Sequence, residues 1–169
     1  AWSKVWITEK GMPEIDVRQS GDKAIFRQKD PFKWCAVWPQ QVNALLIKGE
    51  VSEVVSCTFQ HREEERNIQE EADYIIPNID GRSYGYFVLD TATITFCMNH
   101  PDYFTDPIWR LSVFISLYEN YMNARIHPAD FIQSMLEWLP SETNSLVYSA
   151  IIGYIENICC HRRITEQDI

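Results

Sequence analysis

The spacing of hydrophobic positions along this chain changes near residues 90–100. Upstream of that point, short runs alternate between apolar and polar residues, and downstream the apolar residues recur every three or four positions. Alternation is typical of half-buried β-strands, and the longer spacing is typical of amphipathic helices. The sequence therefore predicts a mixed fold, with a β-domain at residues 1–90 followed by a helical domain at residues 91–169.

Eight short segments of the first region have the composition of β-strands. They are Glu14–Arg18, Ala24–Gln28, Trp34–Trp38, Val42–Lys48, Glu53–Gln60, Arg66–Ile68, Tyr74–Ile76 and Tyr84–Leu89. Turn residues at Ser20-Gly21-Asp22 separate the first two segments and indicate a β-hairpin. Because each strand exposes an apolar face that a second sheet can cover, the pattern favours an antiparallel β-sandwich.

Four helices are predicted in the second region from apolar spacing and from residues that suit helix starts, and for the first of them, Thr91–Met98, the β-branched residues leave a strand as the alternative. They begin after Asp90, at Pro107, at Pro128 and after Ser141. Short side-chain oxygens are good N-caps, and proline suits a first helical turn because its missing N–H would be unpaired there anyway. Short connections predict antiparallel helical hairpins, as in a bundle or in the start of a HEAT-like solenoid.

Composition argues against two kinds of partner, nucleic acid and the interior of a membrane. The chain has 169 residues and a formal charge of -9, so it repels polyphosphate and we expect no nucleic-acid partner. No apolar run approaches the roughly 20 residues of a membrane-spanning helix, so we expect no membrane span. The five cysteines lack the spacing of a disulfide framework, and they do not decide between an oxidising and a reducing compartment.

Two groups of residues have spacings compatible with metal ligands. One is the pair Cys97 and His100, and the other is Cys159, Cys160 and His161. A structural zinc site needs about four ligands, and neither group has a second pair of similar spacing near it. Buried thiols beside a surface histidine are the commoner explanation, so we assign no catalytic, cofactor-binding or metal-binding residue in this chain.

Catalytic motifs are also sparse. The segment His61-Arg62-Glu63-Glu64-Glu65 lacks the second histidine of a zinc-hydrolase helix, so a solvated charged hairpin loop is the favoured interpretation. A standalone enzyme would need a histidine beside a nucleophile, and only the fold can bring such groups together. The four histidines are His61, His100, His127 and His161.

The tryptophans support a second alternative, a carbohydrate- or peptide-binding sandwich with an exposed aromatic row on one sheet. Burial in a core or a domain interface is the commoner use of such large side chains. The six tryptophans are Trp2, Trp6, Trp34, Trp38, Trp109 and Trp138.

Two stretches of the first region resemble the aminopeptidase N family of zinc metallopeptidases, in the part that follows the catalytic domain. Residues 6–17, which contain Gly11-Met12-Pro13, are similar to the family's junction between catalytic domain and β-sandwich. Asn78 and residues 85–90, Gly-Tyr-Phe-Val-Leu-Asp, are similar to the segment that closes that sandwich. The family's arginine and one of its tyrosines have no match in this segment, so no residue here takes the place of that arginine.

A third stretch, in the helical region, resembles the early helices of the family's C-terminal domain. It comprises Asp106-Pro107, Arg110 and Leu117-Tyr118-Glu119-Asn120. The order of the three stretches agrees with the division into strands and helices. The family's catalytic markers, His-Glu-x-x-His with a distal Glu and Gly-x-Met-Glu-Asn, have no counterpart in this chain.

The resemblance implies a non-catalytic region of a larger aminopeptidase. Residues 1–90 would contain the end of the catalytic domain and the sandwich, and residues 91–169 the first part of the helical domain. Zinc would belong to the catalytic domain, and the partners would be that domain, the remaining helices and the enzyme's peptide substrates. The start lacks an initiating Met, and residues 164–169 only begin a helical pattern, so we expect further sequence on both sides.

Overall fold

The computed structural model describes residues 5–7, 10–32 and 36–161, except for the side chain of His161. Within these residues, 5–7 are helical and are followed by seven strands and then four longer α-helices. The strands are β1 (Glu14–Ser20), β2 (Lys23–Lys29), β3 (Gln41–Lys48), β4 (Val51–Thr58), β5 (Glu63–Asn67), β6 (Tyr74–Pro77) and β7 (Tyr86–Val88). The helices are α1 (Thr91–Asn99), α2 (Pro107–Met122), α3 (Pro128–Trp138) and α4 (Ser145–His161), with 3-10 turns at Pro101–Tyr103 and Leu139–Ser141. Contacts divide the chain into two units, Ala1–Thr93 and Ile94–Ile169.

The strands of the first unit form two sheets. The four-stranded sheet has the order β5-β2-β1-β7, and the three-stranded sheet has the order β4-β3-β6. Neighbouring strands run antiparallel except β1 and β7, which are parallel. The mixed fold with antiparallel-rich sheets is therefore confirmed, whereas the parallel pair was not predicted, because strand periodicity contains no information about pairing direction.

Both sheets contribute to one buried apolar cluster. Ile15 and Phe26 come from the four-stranded sheet, and Val42 and Leu46 come from β3 of the other sheet. The alternate positions of β3 include Leu45 and Ile47, which are also fully buried. This strand is thus buried on both faces, and its sequence is continuously apolar for that reason instead of alternating.

The predicted hairpin between the first two strands is confirmed. Ser20 pairs with Lys23 across a two-residue turn, and Gly21 has φ 59°. A positive φ at this position costs glycine little because it has no Cβ. Antiparallel pairing then continues to Glu14 and Lys29.

The strand predicted at Trp34–Trp38 is wrong for residues 36–38, and Trp34 and Cys35 lie outside the described residues. The backbone N–H of Ala36 donates to Asp30 Oδ2 at 3.0 Å, and that of Trp38 donates to Gln28 Oε1 at 2.8 Å. Side-chain oxygens therefore accept the backbone hydrogen bonds that a neighbouring strand would otherwise accept.

The charged hairpin loop predicted at residues 61–65 is also wrong in part, because Glu63 to Glu65 belong to β5. This strand pairs with β2, and two cross-strand ion pairs, Arg27 with Glu63 and Lys23 with Glu65, lie on the solvated face of the sheet. Arg27 lies directly opposite Glu63 and Lys23 lies diagonal to Glu65, and such opposite-charge pairs stabilise the pairing of β5, which has no apolar residue.

Helix α1 follows its predicted start, since Asp90 Oδ1 accepts from the backbone N–H of Thr93 at 2.7 Å. Helix α2 has the predicted Asp106 cap on the N–H of Ile108. The predicted Ser141 cap is wrong. Ser141 lies in a 3-10 turn with its hydroxyl donating to the Trp138 carbonyl, and Asn144 caps α4 instead.

Aromatic side chains form much of the core of the second unit. Tyr118 of α2 stacks on Tyr154 of α4 with ring centroids 4.3 Å apart, and Phe131 of α3 packs against Tyr121 at 5.0 Å. Burial, followed by the negative charge of Glu119, raises the pKa of Tyr154 to about 12. Within the described residues, no helix is long and apolar enough to cross a membrane.

Candidate functional site

Pro13, which directly precedes β1, contacts the segment that starts β7. The Pro13 carbonyl accepts a hydrogen bond from the N–H of Tyr86 at 2.9 Å, where the parallel β1–β7 pairing begins. A Cβ added to Gly85 would lie only 2.8 Å from that same carbonyl oxygen and 3.2 Å from Ile15 Cδ1. The backbone of Gly85 can approach Pro13 because glycine lacks a side chain.

Asn78 organises the loop that precedes this segment. Its backbone has φ 55°, a left-handed conformation that asparagine tolerates better than most residues. Its Oδ1 accepts from the N–H of Ser83 at 2.9 Å, and its Nδ2 donates to the Ser83 carbonyl at 3.2 Å. The side chain of Gln40 makes the same kind of paired contact with the backbone of Tyr84. These contacts fix the loop to its own start at Asn78 and to Gln40, the residue before β3.

Arg110 and Glu142 form a largely buried ion pair. Arg110 Nε donates to Glu142 Oε2 at 2.9 Å and Nη2 donates to Oε1 at 3.1 Å, and the two side chains are 16% and 4% exposed. Arg110 Nη1 also donates to the carbonyls of Phe104 and Thr105, both at 2.8 Å. The guanidinium therefore joins three places: the loop after α1, the first turn of α2 and the loop before α4.

Two opposing effects act on the pKa of Glu142. Burial raises it, while hydrogen bonds from Arg110 and from the backbone N–H of Asn144, together with the Arg110 charge, lower it by more. The pKa thus lies below the ordinary carboxyl value, and the carboxylate stays charged at neutral pH. A cavity of about 320 Å³ adjoins this pair, with Phe104 and Trp138 in its wall. Glu142 and most N–H groups of Arg110 already make hydrogen bonds within the chain. The pair therefore holds the loops on either side of it together.

The described histidines are not paired with nucleophiles. His61 Nδ1 lies 3.2 Å from Glu64 Oε1, the His100 ring packs on Phe96, and His127 Nδ1 caps α3. None of the three makes a hydrogen bond to serine or cysteine within the residues that the structure describes. The side chain of His161 lies outside them.

The cysteines divide by burial. Cys57 and Cys97 are buried, and burial raises the pKa of the Cys57 thiol to about 11. Cys159 and Cys160, in the last turn of α4, are exposed, so the expectation of buried thiols is wrong for this pair. No group of three or more His, Cys, Asp or Glu in the described part of the chain is arranged to hold a metal ion.

In the part of the chain that the structure describes, no exposed aromatic side chain lies on a strand, where a sugar-binding row would stand. Trp38 and Trp138 are buried, and Trp2 and Trp34 lie outside the described residues. The exposed aromatic side chains of the described chain are Phe32, Tyr84 and Tyr148, which lie in loops and on α4. The solvated face of the four-stranded sheet instead carries the ion pairs of β2 and β5.

Three contacts of the helical unit were not predicted from the sequence. Glu142 directly follows Ser141, the expected helix start, and its carboxylate pairs with Arg110 across 32 residues. Asn144, a good capping residue, gives a usable signal directly before the α4 pattern, but Ser141 gives a similar one. His127 gives no such signal, because histidine is not among the common N-caps.

Comparison with known proteins adds no relatives: no protein-family model matches the chain, and no curated protein matches it either.

Proposed function

We propose that this chain is a non-catalytic region of an aminopeptidase N-type zinc metallopeptidase, a β-sandwich spacer followed by the first part of a HEAT-like helical domain. The main support is that the residues behind the resemblance make architectural contacts within the chain. Pro13 and Gly85 meet where β1 and β7 begin to pair. Asn78 organises the adjoining loop, and Arg110 joins loops of the helical unit.

The role that follows is positional. In such an enzyme, the catalytic domain would hold zinc, which polarises the scissile carbonyl and activates water. This region would connect that domain to the remaining helices and help to enclose the cleft that admits peptide substrates. No residue numbered here would bind zinc or touch the reacting atoms.

The reading frame that encodes this chain provides the test. We expect a His-Glu-x-x-His motif with a distal Glu in the same frame, upstream of Ala1. A single polypeptide that joins the upstream region to this chain should release amino acids from aminoacyl 4-nitroanilides only when zinc is bound. The chain alone, with zinc added, should release none. An upstream frame without the motif, or zinc-dependent turnover by the chain alone, contradicts the proposal.

A double variant of the joined protein, His61→Ala with His100→Ala, is the matched control. Both side chains are exposed, so their removal should leave the fold intact. We expect unchanged zinc content by elemental analysis and unchanged turnover. Loss of stoichiometric zinc would place metal ligands in this chain and overturn the assignment.

A further inference from the structure

Helix α2 has polar side chains on its buried side and apolar side chains on its exposed side. Ser112 and Asn120 are buried, whereas Ile108, Ile115 and Met122 are 59%, 39% and 54% exposed. A surface helix normally turns its polar residues to solvent. The three exposed residues are spaced seven apart, which places them in one line along the helix. We call this line the α2 stripe.

The charged residues of α2, Arg110 and Glu119, lie off the α2 stripe. Arg110 is held by Glu142, and Glu119 is half-buried. The stripe is about 21 Å long at 1.5 Å per residue. A continuous apolar line with this spacing is typical of a helix face that another helix covers. Its exposure in the chain therefore indicates an interaction surface.

The spacing of the α2 stripe fits a second copy of the same chain. Ile115 is the midpoint, seven residues from Ile108 and seven from Met122. In an antiparallel pair with a two-fold axis at Ile115, Ile108 of one copy therefore meets Met122 of the second copy. Such an arrangement uses the same patch on both copies and leaves an apolar residue opposite an apolar residue along the whole line.

The charges at the two ends of the α2 stripe favour the same arrangement. Asp106 caps the start of the helix and Arg125 follows its end, and both residues are exposed. An antiparallel pair brings each end of one copy beside the oppositely charged end of the second copy. A parallel pair would instead bring like charges together at both ends, which is unfavourable.

We propose that the α2 stripe is a self-association surface, through which two copies of this chain pair antiparallel across a two-fold axis at Ile115. One helix face from each copy covers less than the standard interface of about 1,600 Å². The dimer is therefore weak and dissociates on dilution.

Sedimentation equilibrium of the whole chain tests the proposal. Over concentrations from about 1 μM to about 1 mM, the range of moderate to weak association, we expect the average mass to rise from the 19.9 kDa of one chain towards twice that value. A single species with the mass of one chain at every concentration overturns the proposal and leaves the α2 stripe to a different polypeptide segment.

Two matched variants locate the surface. Ile115→Glu should weaken association at least about tenfold, because two carboxylates would face each other at the axis. Leu136→Glu makes a similar change at a half-exposed position of α3 and should leave the dissociation constant within about twofold. Far-UV circular dichroism checks that both variants fold. Equal effects of the two substitutions overturn the proposal.

Cysteine crosslinking tests the direction of pairing without adding a charge to the helix. The background is a chain in which the two exposed cysteines of α4 are replaced by serine. Under oxidation by copper phenanthroline, Ile115→Cys should form a disulfide between copies faster than Leu136→Cys. Ile108→Cys should crosslink to Met122→Cys in a mixture faster than it crosslinks to itself.

Two crosslinking results would contradict the proposal. Equal rates at positions 115 and 136 overturn the surface, and self-crosslinking of Ile108→Cys at the rate of the mixture overturns the antiparallel pairing. None of these outcomes depends on whether the chain belongs to an aminopeptidase.

Discussion

The sheet unit and the helical unit are stabilised by different kinds of contact. The sheet unit combines polar side-chain contacts, such as that of Asn78 with Ser83, with a close backbone approach where Gly85 lies against the Pro13 carbonyl. The helical unit depends on single polar side chains, as where Arg110 and Glu142 join three loops and turns. A backbone contact tolerates no added Cβ, whereas a side-chain contact tolerates no lost polar group. A glycine-to-alanine substitution should therefore change stability in opposite directions at Gly85 of the sheet unit and at Gly153 of the helical unit.

The largest effect is expected for Glu142→Gln in the helical unit. Removing one partner of a buried ion pair typically costs about 3–5 kcal/mol, because the other charge is left without compensation. Arg110 retains some exposure, so we expect about 3 kcal/mol, the lower end of that range. Hydrogen-exchange mass spectrometry should show the loss in residues 107–122 and 145–160. Equal loss in residues 14–29 would mean that the two units do not differ as stated.

The same variant gives a pH test. The pKa of Glu142 is lowered in the folded protein, so its contribution to stability is fully present above the ordinary value of 4.5 and is lost as the pH falls below it. The natural chain should lose protection of the helical segments below pH 4.5 more steeply than Glu142→Gln. Glu137→Gln, at an exposed position of α3, should behave like the natural chain at every pH.

Gly85→Ala should have the next largest effect, in the sheet unit. The new Cβ would lie 2.8 Å from the backbone oxygen of Pro13, which cannot rotate away. Forced overpacking of this kind costs about 1–3 kcal/mol, and we expect reduced urea resistance with lower protection of β1 and β7. Unchanged stability would show that the contact between Gly85 and Pro13 is not close in solution.

Gly153→Ala makes the same chemical change in the helical unit and should stabilise it. A Cβ at this exposed position in the middle of α4 meets no atom within 4 Å. Alanine is favoured over glycine in helix interiors by about 1 kcal/mol. A rise in the urea midpoint is expected, opposite in sign to the change in Gly85→Ala. A fall would indicate that another surface packs closely on Gly153.

Local patterns were sufficient where one segment decides its own conformation. Asp106-Pro107 marks the start of α2, and Ser20-Gly21-Asp22 marks the first hairpin, because caps and tight turns depend on a few adjacent residues. They were insufficient at Trp38, where the apolar run suggests a strand but Gln28 takes its backbone N–H. They were also insufficient at Glu142, whose partner stands 32 residues away.

Sequence alone determined the order of strands and helices, the first hairpin and two of the four helix caps. It did so because periodicity, proline position and turn chemistry are properties of neighbouring residues. The tertiary structure decided the parallel pairing of β1 with β7 and the ion pair of Arg110 with Glu142. These features join residues that are distant along the chain, and only packing brings their backbones and charges within bonding distance.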